Sequence, residues 1–239
     1  MDSSDWRFRG MVVLALGIAL GGGLAGMGFS RGRVAERFVT VKGVSEREVQ
    51  ADLAVWPLQI TAASNDLSTA NAQLGRTITG VRDFMARQGL DTTQVALTGY
   101  YVEDAAANVY MSTEPRNRFV VRQTLVIRSD RPDQTLAASQ RINELASLGA
   151  VVSSVGEGPT FVFTRLNDLK PEMIAEATAR AREAAERFGQ DADSHLAGIR
   201  RANQGVFEIL ARDQAPGISE SSQIAKTVRI VSTIEYSLE

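Results

Sequence analysis

The stretch FVTVKGVSEREVQADLAVWPLQITAASNDLSTANAQLGRTITGVRDFMARQG, residues 38–89, decides the fold. Its first part alternates, and its second part repeats every three to four residues. Phe38–Val44 reads as a strand, and Val49–Ala63 as a longer one with Val49, Ala51, Leu53 and Val55 on one side. Pro57 cannot donate to a ladder, so this second strand is expected at a sheet edge or bulged there. Asn65 or Asp66 then caps a helix. Its stripe is Leu67, Ala70, Leu74, Ile78, Val81 and Met85, and Gly89 ends it.

The same two periods continue downstream. Gln94–Glu103 alternates, with Val95, Leu97 and Tyr101 on one face. After a loop at Asp104–Asn117 the chain returns as Arg118–Arg128, with Phe119, Val121, Leu125 and Ile127 facing one way and Arg118 and Arg122 the other. Asp130 is expected to cap the next helix, with Pro132 in its first turn and Gly149 at its end. Thr160–Thr164 is a short strand. Asn167–Asp193 is the longest helix, with Leu169, Met173, Ala177, Ala181, Ala184 and Phe188 on one face. It carries favourable i,i+4 pairs at Glu176–Arg180 and Glu183–Arg187. Gly205–Arg212 and Thr227–Leu238 close the chain as strands. The order β-β-α-β-β-α-β-α-β-β predicts an α+β fold, with antiparallel sheets and helices packed on one face of each.

Upstream the character changes. Gly10–Phe29 is 20 residues without a charge, about 30 Å as a helix and enough to cross a bilayer core. Trp6 and Phe29 flank it. A transmembrane anchor at 10–29 is expected, with a secretory signal as the alternative. Residues 1–9 then form a cytoplasmic terminus and 30–37 a tether to the extracytoplasmic part, 38–239. Counting Arg7 and Arg9 against Arg31, Arg33, Arg37 and Lys42 mildly opposes that orientation. Long domains translocate largely regardless of such charges. Gly17/Gly21 and Gly22/Gly26 are spaced four apart, so each pair shares a helix face and suits close helix packing in lipid. Gly21, Gly23 and Gly26 also fit a dinucleotide fingerprint, but no strand precedes them.

Composition narrows the chemistry. The 239 residues are 44% hydrophobic and 23% charged, with a net charge of −2, one histidine and no cysteine. Disulfide scaffolds, thiol enzymes, Cys-ligated metal sites and Cys lipidation are excluded. Among 26 basic residues only Lys42, Lys170 and Lys226 are lysine. The near-neutral balance gives no electrostatic reason to expect nucleic acid as a partner. No phosphate loop or nucleophile elbow is present. Asp191, Asp193 and His195 form D-x-D-x-H, which reads as a polar helix terminus because residues two apart do not share a helix face. The Glu46, Glu48 and Asp52 carboxylates lack an identifiable second group for acid–base work. No catalytic, cofactor-binding or metal-ligating residue is expected, and no cofactor.

Two stretches carry a resemblance. VTVKGVSEREVQADLAVWPLQI (39–60) resembles the opening of SIMPL-domain proteins, with Gly43 and Asp52-Leu53-Ala54 matching and Ala51 standing where proline is usual. AEATARAREAAERFG (175–189) is similar to that family's alanine-rich helix ending in glycine. The resemblance covers about 40–239. It implies two α/β subdomains, about 45–130 and 38–44 with 131–239. It also implies a bacterial inner-membrane or periplasmic location, association with oxidative-stress defence, and assembly into large rings. The first expectation is therefore a non-enzymatic, anchored scaffold whose partners are its own copies and the lipid bilayer. Pro57, Tyr110, Met111, Arg118 and Arg122 are its interface candidates, because open edges template pairing with a neighbour. An envelope-protein partner is a further alternative. The competing expectation is a periplasmic small-ligand binder or hydrolase with Asp52, Tyr100, Tyr101 and His195 converging in a pocket between subdomains.

Overall fold

A computed structural model describes residues 15–23, 37–107 and 116–239. Residues 15–23 form a helical segment, α1. The remaining order is β1 (Phe38–Gln50), β2 (Leu53–Ser64), α2 (Leu67–Arg87), β3 (Val95–Asp104), β4 (Phe119–Ser129), α3 (Pro132–Gln140), β5 (Val151–Ser154), β6 (Thr160–Val162), α4 (Leu166–Asp191), β7 (Leu196–Asn203), β8 (Glu208–Ala211) and β9 (Ala225–Leu238). The fold is α+β with two sheets. One has the order β3-β4-β2-β5, with β6 also on β2; the other has β1-β9-β7, with β8 also on β9.

The chain changes sheets at Ala51 and Asp52. Their backbone N–H groups donate to Ile224 (2.8 Å) and Val162 (3.1 Å) instead of continuing a ladder. Two strands therefore meet end to end where the alternation alone suggested a gap at residues 45–48. Beyond the break, the face of β2 carrying Ala54, Trp56, Leu58, Ile60 and Ala62 is buried. Helix α2 covers it with Leu74, Val81, Phe84 and Met85, and β4 adds Val121, Leu125 and Ile127. Asp66 caps α2 by accepting the Thr69 N–H at 2.8 Å. Gly89 turns the chain at φ 76°.

The predicted position of Pro57 is corrected. Strand β2 is interior, with β4 on one side and β5 and β6 on the other. Strand β5 pairs with Leu58–Thr61 and β6 with Leu53–Val55. Pro57 falls between these two short partners, and its carbonyl accepts the Val155 N–H at 2.9 Å. The missing donor therefore points at the seam, and the β4 ladder loses nothing.

Strand β3 carries a second correction. Thr98 pairs with Thr124 but Tyr101 with Arg122, so β3 has one extra residue there. Gly99 sits at φ 58° in this bulge. The bulge reverses the alternation: Val95 and Leu97 stand opposite Ile127 and Leu125, whereas Tyr101 stands opposite Arg122 on the other face. Asp130 does not cap α3 either; Arg131 occupies the N-cap without a side-chain bond, and Pro132 at the helix start needs no donor.

A second core cluster joins Met173 and Ala177 of α4, Val228 and Ile230 of β9, and Phe163. Gly43 of β1 lets α4 approach: a Cβ there would lie 1.8 Å from the Ala177 carbonyl oxygen. Ser45 Oγ donates to Glu176 at 2.8 Å, and Arg47 pairs with Glu176 at 3.1 Å. Both predicted i,i+4 pairs form. The α4 stripe continues through Ala181 and Ala185, not Ala184, and Phe188 is exposed. Strands β5 and β7 were not predicted.

Contacts group the chain into two compact units. One contains Arg182–Ala202, Ile234–Glu239 and the start of β1; the other contains Lys42–Ala181 and Asn203–Thr233. In the first, α4 ends with Asp193 at φ 50° and the Ser194 N–H bonded to Gly189 O at 2.9 Å, a left-handed cap on a non-glycine residue.

Candidate assembly surface

The face of the five-stranded sheet opposite α2 carries two of the expected interface residues, Pro57 and Arg122. Its rows pair Pro57 with Val126, Gln59 with Thr124, and Thr61 with Arg122. These positions are half-buried, and no helix among the described residues packs on this face. Pro57 and Arg122 thus share one surface, because both strands alternate in step across the ladder.

Arg122 is held in place on this surface, and Arg118 just before the start of β4. Arg122 Nη1 donates to Glu103 Oε2 at 2.9 Å, and its guanidinium lies 5.9 Å from the Tyr101 ring centroid. Arg118 donates to both oxygens of Asp104, at 3.0–3.3 Å, and lies 4.8 Å from the Phe119 ring centroid. Hydrogen bonding from Arg118 holds the Asp104 carboxyl below the usual carboxylate range, and the same contact raises Arg118. Both guanidinium groups are therefore engaged with β3 carboxylates and hold β3 against β4.

Strand β3 forms an edge of this sheet. It is exposed on both faces over most of its length, with Leu97 46%, Tyr100 53% and Tyr101 56% exposed. Tyr100 donates to Asn71 Oδ1 at 2.7 Å. An open edge carrying apolar side chains is a template for another strand.

The other expected site residues are dispersed. Asp52 accepts the Thr164 N–H and hydroxyl, both at 2.7 Å, and pairs with Arg165 at 3.4 Å. Burial alone would raise its carboxyl, but the Thr164 hydrogen bonds and Arg165 outweigh this and hold it low. Asp52 thus ties the β1–β2 break to the start of α4. His195 exchanges backbone hydrogen bonds with Glu239 at 2.8 and 2.9 Å. Asp52, Tyr100, Tyr101 and His195 line none of the clefts described for this chain. Among the described residues, no group of three acidic, histidine or cysteine side chains is placed to hold a metal ion.

The expected anchor at 10–29 lies outside the described residues except for 15–23. Gly17, Gly21 and Gly22 fall in that helical segment, and an added Cβ at each meets nothing within 4 Å. Gly26, Tyr110 and Met111 lie outside the described residues. Among the described residues, no helix is long and apolar enough to cross a membrane.

The architecture defines an α+β protein of two sheets, one with an uncovered face and an open edge. The chain belongs to the SIMPL family, described as a protein of unknown function (DUF541), which matches residues 39–235. No curated protein matches it. Among solved structures, the regulatory subunit of aspartate kinase from Thermus flavus is 14% identical, covering 82% of this chain and 89% of that one, at a TM-score of 0.20. The ligand-free form of that subunit from Thermus thermophilus is 13% identical over 80% and 87%, at 0.18. An uncharacterized conserved protein from Listeria innocua is 9% identical over 78% and 91%, also at 0.18. Scores this low carry no argument about fold or function.

Proposed function

We propose that this chain is a non-enzymatic, membrane-anchored extracytoplasmic protein of the bacterial envelope. Its copies associate into a large ring or channel-like scaffold, with a role in stress defence. The observation that carries the assembly reading is the β3 edge, exposed on both faces beside an uncovered sheet face. Such edges pair with neighbours unless charge or cover blocks them. The uncharged stretch 10–29 supports the anchor, and SIMPL membership supports the envelope setting.

The test is the paired variant Ala96→Lys/Tyr101→Lys, which places charge at exposed edge positions opposite Val126 and Arg122, away from the buried face. Light scattering of detergent-purified protein is expected to show a large wild-type particle and a much smaller variant particle. Circular dichroism should be unchanged between the two. A variant particle as large as wild type would remove β3 from the interface.

A further inference from the structure

An open cleft at the end of β1 and the start of α4 is lined by Val49, Gln50, Phe163, Arg165, Asp168 and Leu169 and has a volume of about 360 Å³. Small-molecule sites begin at about 300 Å³. The walls are apolar: Phe163 is buried in the second core cluster, and half-buried Val49 and Leu169 pack against it.

Two opposite charges, Arg165 and Asp168, are among the lining residues. Arg165 is tethered through Nε to Asp52 at 3.4 Å, and Asp52 is itself fixed by two hydrogen bonds from Thr164. This contact occupies Nε and leaves the two terminal amines without a partner among the described residues. Asp168 donates its backbone N–H to the Arg165 carbonyl at 3.1 Å, while its carboxylate has no ion-pair partner among the described residues. The two side chains do not pair with each other. A guanidinium matches a carboxylate through paired N–H donors, and a carboxylate matches an ammonium.

We propose that this cleft binds a small α-amino acid with an apolar side chain. Its carboxylate meets Arg165, its ammonium meets Asp168, and its side chain lies against Phe163 and Leu169. A simple carboxylate faces repulsion from Asp168, and a simple amine leaves Arg165 unmatched, so the paired charges select the zwitterion. The site lies within one chain and stands whether or not copies assemble.

Calorimetric titration of the full chain in lipid nanodiscs tests this. The probes are L-leucine, 4-methylpentanoate (no ammonium) and 3-methylbutylamine (no carboxylate). Leucine is expected to bind saturably, with a dissociation constant of about 1 mM or tighter, and each analogue about tenfold more weakly. Arg165→Gln should erase the advantage of leucine over the amine. Asp168→Asn should erase its advantage over the carboxylate, and it tests the site independently if Arg165→Gln folds poorly. No saturable binding of leucine up to about 10 mM would overturn the proposal. So would an analogue that binds as tightly as leucine, or leucine binding unchanged in folded variants.

Discussion

Among the described glycines, Gly43→Ala should be the most damaging methyl addition. The added carbon would lie 1.8 Å from the Ala177 oxygen and 2.7 Å from the Ala181 nitrogen. A relaxed carbon–oxygen contact is about 3.3 Å, so α4 must retreat from β1 by about 1.5 Å. Both obstacles are backbone atoms of one helix, so no rotamer change relieves them. Overpacking costs about 1–3 kcal/mol, and this geometry belongs at the upper end. A loss of about 3 kcal/mol lowers the melting temperature by about 6–12 °C in a chain of this size. Retreat of α4 also strains the Ser45–Glu176 and Arg47–Glu176 contacts. The control is Gly75→Ala on the exposed side of α2, where an added Cβ meets nothing within 4 Å. It should stabilise by about 0.5–1 kcal/mol through helix propensity. Urea and thermal unfolding, followed by far-UV circular dichroism, read both variants. A Gly43→Ala change within about 0.5 kcal/mol of wild type would refute the close approach of α4 to β1.

Asp52 has a lowered pKa, so its contribution to stability is present above the ordinary carboxylate value and is lost as pH falls through its folded value. Between about pH 5 and pH 2, wild type should lose more stability than Asp52→Asn; parallel pH curves would contradict this. Asp193 holds a left-handed conformation, and Asp193→Gly should stabilise by about 1 kcal/mol in the same unfolding assay. Lys226 is fully buried on β9, and its Nζ donates to the Glu220 carbonyl at 2.6 Å and to the Glu220 carboxylate. Lys226→Ala should cost about 2–3 kcal/mol, discounted because Glu220 is partly exposed, whereas Lys226→Met should fall within about 1.5 kcal/mol of wild type.

Where one pattern ran long enough, the residues foretold the structure. The α2 stripe with Asp66 before it and Gly89 after it is such a case, and so is the alternation of β4 and β9. Short or exposed strands left no such trace. Strand β5 has four residues, and β7 (LAGIRRAN) is exposed along most of its length, so neither needs an apolar period. Pro57 misled for a different reason. Proline excludes a donor on one side of one residue, and only the assembled sheet shows that this side meets a seam between two short strands. The bulge at Gly99 likewise moved Tyr101 to the Arg122 face, a one-residue slip that reverses every later side chain. The side of β4 on which Arg122 lies was legible from alternation alone. The β3 acids that hold the arginines were not, since cross-strand partners depend on register. The Arg165–Asp168 cleft left no signal, because its parts come from two segments far apart in the chain, 49–50 and 163–169.

Assembly of copies of this chain can be read in a single experiment. Native mass measurement of the full chain, extracted in mild detergent at micromolar concentration, tests it most directly. One dominant closed species is expected at a large whole-number multiple of the 25.8 kDa chain. A single species at the mass of one chain, folded by circular dichroism, would contradict it.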